Sequence, residues 1–242
     1  MRIGIDARMM GKGFGIGRYI ERLVLTLSKI DEENRYVLFV RDETSKKEIG
    51  NWKLETGVPN FQFVLADIPH YIWQEQTKLP KIIKQVKVDL MHFPHWNVPL
   101  TYHDPFVLTI HDLTMFHYPR PEATTLGPVK FWLKDQAHRL VIRHAVKRAR
   151  HIMVMSEWVR QDVHETLSVS LSKMTVTYQA PFGMSNEQRV MSNGGVLRKY
   201  SITKPYVLYV GAAYPHKNLG GLLKAWKIFE EKYGDAYQLV LA

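Results

Sequence analysis

Short apolar, β-branched runs alternate along the chain with longer stretches of helical period. The runs at Arg2–Ala7, Tyr36–Arg41, Gln62–Ala66, Asp89–Phe93, Phe106–His111, Ile152–Ser156, Met174–Tyr178, Tyr206–Gly211 and Gln238–Ala242 predict strands. Helices are predicted at Gly17–Ile30, Tyr71–Val86, Pro128–Arg150, Glu157–Leu167 and Asn218–Tyr233. Strands that are apolar nearly throughout must be covered on both faces. That requirement fits a parallel sheet flanked by helices, so the class is α/β.

The pattern breaks after Tyr178. Gln179–Lys204 carries Pro181, Gly183, Asn186, Asn193, Gly194 and Gly195 ahead of Pro205, a linker composition. A new strand–helix–strand follows and runs to Ala242. The expected organisation is a domain over 1–180, a linker over 181–204, and an incomplete second domain over 205–242. A single βαβ unit cannot bury a core of its own, so the sequence reads as cut within that second domain.

Composition narrows the function classes. The 242 residues are 45% hydrophobic and 23% charged, as in an ordinary globular protein. No run approaches a membrane span, and Met1–Asp6 lacks the apolar core of a signal peptide; the expectation is cytoplasmic. Cysteine is absent, which excludes disulfides, thiolate nucleophiles and cysteine–zinc sites.

The net charge of +10 has one conspicuous concentration. Lys130, Lys134, Arg139, Arg143, Lys147, Arg148 and Arg150 are opposed only by Asp135 and are interleaved with apolar residues, a basic amphipathic helix pattern. A solvated cationic face is one reading; peripheral contact with an anionic membrane surface is the other. No zinc finger, RNA-binding aromatic signature or other nucleic-acid module accompanies the charge, so nucleic acid is not an expected partner.

Candidate chemistry gathers at predicted C-terminal strand edges, where open α/β sheets bind ligands. After the first strand, Gly11, Gly13, Gly15 and Gly17 lead into a helix, with Arg18 as a fixed cation. Glycines let a ligand approach the backbone, and a helix N-terminus favours an anion. These glycines fall at every second position, which is neither the dinucleotide fingerprint nor a P-loop. A tight turn remains the plainer alternative. His92 and His95 follow another strand, His92 reading as a core residue. Their spacing lacks the carboxylate or third histidine of a metal site, and no metal is expected. His111-Asp112 after Phe106–Ile110 form the more promising pair, with local capping as the alternative. Later, Gly211 ends a strand, Pro215 stiffens the loop, and His216 and Lys217 precede a helix where a diphosphate would meet both a cation and free N–H groups.

Several of these segments occur together in order: Ile3-Gly-Ile-Asp-Ala-Arg8 with Gly15-Ile-Gly-Arg-Tyr19, Thr109-Ile-His-Asp-Leu113 with Pro119, Ser156-Glu157, and Tyr209-Val-Gly-Ala-Ala-Tyr-Pro-His-Lys-Asn-Leu219. Over essentially the whole chain this resembles family 4 of the retaining glycosyltransferases, a GT-B group that includes many bacterial mannosyltransferases. The resemblance implies two Rossmann-like domains, the first near-complete and holding the acceptor, the second only begun and holding the nucleotide sugar. Gly15 and Gly17 would line the cleft, His111 would contact the transferred sugar with Asp112 beside it, and Lys217 would bind the diphosphate. Where the family often carries a second cation, this chain has Ala212 and His216.

The implied reaction moves a hexose, mannose favoured, from GDP-mannose or a UDP-sugar to a cell-surface glycan or lipid-linked acceptor. GT-B enzymes generally need no bound metal or cofactor. The family's downstream Glu-x7-Glu element lies beyond Ala242, so the 242 residues alone are expected to show little transfer. Two other readings stand beside this one: a non-catalytic acceptor- or membrane-binding module, and a nicotinamide-dependent oxidoreductase, which the glycine pattern disfavours.

Overall fold

The computed structural model describes residues 1–11, 15–42, 60–119, 121, 125, 127–180 and 195–242. Two compact units divide the chain, Met1–Gln179 and Ala180–Ala242.

In the first unit, seven strands form one parallel sheet: β1 (Arg2–Asp6), β2 (Arg35–Val40), β3 (Phe61–Leu65), β4 (Leu90–Phe93), β5 (Phe106–Ile110), β6 (His151–Val154) and β7 (Met174–Val176). Their spatial order is β3-β2-β1-β4-β5-β6-β7. All six pairings are parallel, with Ile5 opposite Leu38 on one side and His92 on the other. The chain builds outward from β1 in one direction and from β4 in the other. Between these two strands lies the topological switch point, and open α/β sheets leave a crevice there at the carboxyl ends.

The helices are α1 (Gly15–Ile30), α2 (Trp73–Thr77), α3 (Leu79–Val86), α4 (Thr114–His117), α5 (Pro128–Arg148) and α6 (Glu157–Leu167). Two buried clusters reflect the double covering. One joins Ile5, Ile20, Val24 and Leu38; the larger joins Phe39, Met91, Phe93, Leu108, Ile142, Ile152 and Val163. Close packing is felt at Gly4 in β1, where an added Cβ would lie 2.6 Å from Met91 Sδ and 3.1 Å from Phe39.

The predicted helix over Tyr71–Val86 is two helices. Pro80 has no N–H to bond the carbonyl of Gln76, and the ladder breaks at Lys78. The Thr101 hydroxyl donates to the freed Gln76 carbonyl instead, while Leu100 N–H donates to Gln76 Oε1 at 2.7 Å. The basic helix also differs from its expected pattern. Only Ile142, Ala145 and Val146 of α5 are buried, all in its last third. Val129, Trp132, Leu133 and Leu140 are exposed among the basic residues, so no clean division into a cationic and an apolar face exists.

The second unit pairs β8 (Tyr206–Tyr209) with β9 (Gln238–Leu241) in parallel, around α7 (Leu219–Tyr233). None of the residues of β8, α7 or β9 is buried. Most of the predicted linker, 181–194, falls outside the described residues.

Candidate functional site

The carboxyl ends of β1, β4 and β5 bring together the first unit's sequence-predicted residues. Helix α1 starts at Gly15, two residues earlier than its period predicts, so Gly15 and Gly17 both belong to its first turn. Amides of that turn have no partner within the helix. Gly17 is buried, whereas a Cβ on the exposed Gly15 would meet nothing within 4 Å among the described residues. Packing against those residues does not demand a glycine at position 15. Arg18 projects on the exposed side of α1. Gly13 lies outside the described residues.

His111 stands just past β5, half-buried. Its Nε2–H donates to the Pro94 carbonyl at 2.9 Å, and the Tyr19 ring of α1 meets it edge-on with centroids 4.9 Å apart. Burial holds the His111 pKa below the ordinary imidazole value, against the bond to Pro94 and the charge of Asp112. A neutral ring with Nε2 protonated leaves Nδ1 as an acceptor, the form that takes a hydrogen bond from a sugar hydroxyl. Asp112 is exposed, and its carboxylate accepts from Thr114 N–H at 2.8 Å, a local turn that starts α4.

His92 is a buried core histidine, as its strand position predicts. Its Nε2 lies 2.8 Å from the Thr109 hydroxyl, which Tyr19 also approaches at 3.4 Å. Burial, then His111, depress its pKa to about 4.

An ion network at the end of β1 is invisible to motif reading. Arg8 is fully buried. Its Nε and Nη2 donate to the two Asp6 oxygens at 2.8 and 2.7 Å, Nη2 also to Glu75 Oε1 at 2.7 Å, and Nη1 to the Ile68 carbonyl at 3.1 Å. Burial alone would raise the Asp6 and Glu75 pKa values. The guanidinium, joined at Glu75 by hydrogen bonds from His70 and Asn97, outweighs it and holds both carboxyls below the usual range. One arginine thereby ties the end of β1 to the loop after β3. Asn97 Nδ2 donates to Glu75 Oε2 at 2.7 Å and adds the loop after β4. The alternation of Asp6 and Arg8 at a strand end was the available signal; nothing local marks Glu75 as their partner. Beside the network, a water-sized recess opens to solvent among Asp6, Ile20, His70, Pro94, His95 and Asn97.

In the second unit, Gly211 follows β8 with φ +152°, a conformation that favours glycine. His216 and Lys217 form a 3-10 turn ahead of α7, with Tyr214 stacked on His216 at 5.8 Å between centroids. Asn218 adopts a left-handed conformation, and its side chain caps α7 by accepting from Gly221 N–H at 3.2 Å. Lys217 is exposed directly before that helix, as the spacing predicts. Gly220 in its first turn leaves open space where a Cβ would stand. Among the described residues, no group of three His, Asp or Glu side chains is placed to hold a metal, and no helix is long and apolar enough to cross a membrane.

A parallel Rossmann-like sheet with a glycine-led helix after its first strand, and a second parallel β-α-β unit with a lysine before its helix, define a GT-B-type glycosyltransferase scaffold. The chain belongs to Glycosyltransferase Family 4, whose sequence profile matches residues 15–180. It is 24% identical over 177 residues to the O-antigen chain mannosyltransferase RfbU of Salmonella typhimurium, covering 73% of this chain and 42% of that protein. With O-antigen chain mannosyltransferase B of Escherichia coli it shares 23% over 161 residues, 66% of this chain and 40% of the relative. The chain thus spans about two fifths of the length of these curated relatives. A glycosyltransferase from Rickettsia africae ESF-5 matches the fold with a TM-score of 0.51 at 12% identity, over 99% of this chain and 68% of its own.

Proposed function

We propose that this chain supplies the acceptor side, and the start of the donor side, of an enzyme that transfers mannose from a nucleotide diphosphate sugar to a glycan or lipid-linked acceptor with retention of configuration. The observation that carries the reading is the convergence of α1 and His111 on one rim, in a Family 4 chain whose curated relatives are named as mannosyltransferases. His111 Nδ1 accepts from a hydroxyl of the transferred sugar. The first-turn amides of α1, with Arg18, meet charge at the reacting end. Lys217 and the amides opening α7 stabilise the negative charge that gathers on the leaving diphosphate, where one lost donor costs about 3 kcal/mol of barrier. No metal or cofactor takes part; the nucleotide sugar is the only co-substrate.

Beside this role, the exposed Lys130, Lys134, Arg143, Lys147 and Arg150, with Trp132 and Leu133, rest on anionic lipid at the cytoplasmic membrane face. Arg139 and Arg148 contribute less, because they donate to the carbonyls of Phe116 and His103. Turnover by the 242 residues alone is small, because the donor unit described by β8, α7 and β9 buries none of its own residues.

The test joins this chain to the complete donor-binding domain of a Family 4 relative and follows radiolabelled GDP-mannose into lipid-linked glycan. The expected product retains the anomeric configuration, and His111→Ala or Lys217→Ala each lowers kcat about a hundredfold. Transfer indifferent to both substitutions would sink the assignment. Comparable transfer by the 242 residues alone would remove its last part.

A further inference from the structure

Tyr19 stands at the rim with no part assigned to it in the transfer reaction. It lies one turn into α1 and is half-buried. Its hydroxyl is 3.4 Å from Thr109 Oγ1, and its ring meets the His111 ring edge-on, with centroids 4.9 Å apart and planes at 86°. Thr109 and His111 are two residues apart at the end of β5, so in extended chain their side chains leave on the same face. One tyrosine therefore spans both, anchored through its hydroxyl and presenting its ring to the histidine.

The anchor is itself held. Thr109 is fully buried, and its Oγ1 lies 2.8 Å from Nε2 of His92 on β4. Burial raises the Tyr19 pKa against the opposing bond to Thr109, so the phenol stays protonated and donates. With the His92 proton on Nδ1, the Tyr19 hydroxyl, the Thr109 hydroxyl and His92 Nε2 run donor to acceptor in one direction. That chain ties α1, β5 and β4 together beside His111.

His111 needs such a support. The Nε2–H bond to the Pro94 carbonyl at 2.9 Å holds one atom of its ring. A ring held at one atom can still tilt about that bond, and a half-turn about Cβ–Cγ would break it and carry Nδ1 elsewhere. The terminal torsion of histidine has broad wells, so packing must set the angle. A nearly perpendicular aromatic neighbour does so in an arrangement that the ring quadrupoles favour.

We propose that Tyr19 is a positioning residue: anchored through Thr109 to His92, its ring fixes the orientation of His111 and hence where Nδ1 points. Its consequence for catalysis rests on the transferase reading; the support itself does not.

NMR on histidine-labelled protein tests this on the chain as it stands, His111 being assigned by the signal lost in His111→Gln. Tyr19→Leu keeps apolar bulk without a ring, and Tyr19→Phe keeps the ring without its anchor; thermal melts check that each folds. Exchange of the His111 Nε2–H with water should quicken about three- to tenfold in Tyr19→Leu, the worth of an edge-on aromatic pair, and less in Tyr19→Phe. His164, whose Nδ1–H donates to the Val169 carbonyl at 2.8 Å, should exchange as in the parent. In the enzyme completed with a relative's donor domain, Tyr19→Leu should lower kcat at least about threefold with KM for GDP-mannose within about twofold, and Tyr19→Phe should recover most of the loss. Exchange at His111 within about twofold of the parent in Tyr19→Leu overturns the proposal. So does an equal quickening at His164, since Tyr19 would then serve general packing alone. Quickened exchange at His111 with kcat unchanged upholds the support and counts against the role given to His111 in transfer.

Discussion

Replacing Arg8 with methionine removes the centre of the buried network while keeping its volume. Arg8 and Glu75 are fully buried and Asp6 nearly so. The substitution therefore strands two carboxylates, one fully and one largely withdrawn from water. Removing one partner of a buried ion pair costs about 3–5 kcal/mol, because the remaining charge is left unpaired. In a unit of this size each kcal/mol moves the midpoint about 2–4 °C, so Arg8→Met should melt roughly 6–20 °C lower at pH 7. The sign with pH follows from the carboxylates. In the parent, Asp6 and Glu75 sit below the usual range, and their stabilisation is present above the unfolded pKa and lost as pH falls through the folded one. In the variant they sit above that range and cost stability until protonated. The gap between parent and variant must therefore narrow from pH 7 towards pH 4. Adding Glu75→Gln should recover about 1–3 kcal/mol of the Arg8→Met loss. Urea unfolding across this pH range measures all three. A loss under about 1 kcal/mol at pH 7, or a gap that widens on acidification, would refute the reasoning.

Three further outcomes are expected. His92 is 6% exposed with its pKa depressed to about 4, so the unfolded chain binds its proton first as pH falls below about 6.5. Stability should drop by about 3 kcal/mol between pH 6.5 and 4, a slope that His92→Gln flattens in urea titrations; stability rising on acidification would contradict it. Gly15→Ala should leave stability unchanged or raise it by up to about 1 kcal/mol, yet cut transfer at least about tenfold if a ligand approaches that backbone. Full activity would make the glycine a matter of chain geometry alone. Lys130→Gln with Lys134→Gln should weaken sedimentation with anionic vesicles at low salt by about thirtyfold, near 1 kcal/mol per charge; no preference of the parent for anionic over neutral vesicles removes the membrane contact.

The sheet was legible because its strands are covered on both faces. Runs such as Tyr36–Val40 and Phe106–Ile110 are apolar without alternation, and all nine expected strands occur within a residue or two. Most overshoots fall at carboxyl ends, where His111 and Ser156 lie past the paired residues, while Asp89 overshoots at an amino end. The short helix at Thr114–His117 was missed, since four residues carry no period. The division at Pro80 was readable from the proline, but the apolar period runs through it. Rim position was legible for Gly15, His111 and Lys217 because each follows a strand or precedes a helix. The network was not, because Arg8 meets Glu75 across 67 residues and only the folded loops bring them together. The left-handed backbone at Tyr71 was not announced either, although the Glu75 carboxylate that accepts from its N–H lies only four residues on.

The most direct measurement of the central claim is competitive nucleotide binding by saturation-transfer NMR, with GDP, GDP-mannose and NAD presented to the chain and to its Lys217→Ala variant. The account predicts saturation on the guanine nucleotides, weakened at least about tenfold by Lys217→Ala, and none on NAD. Saturation on NAD, or guanine-nucleotide binding indifferent to Lys217, would contradict it.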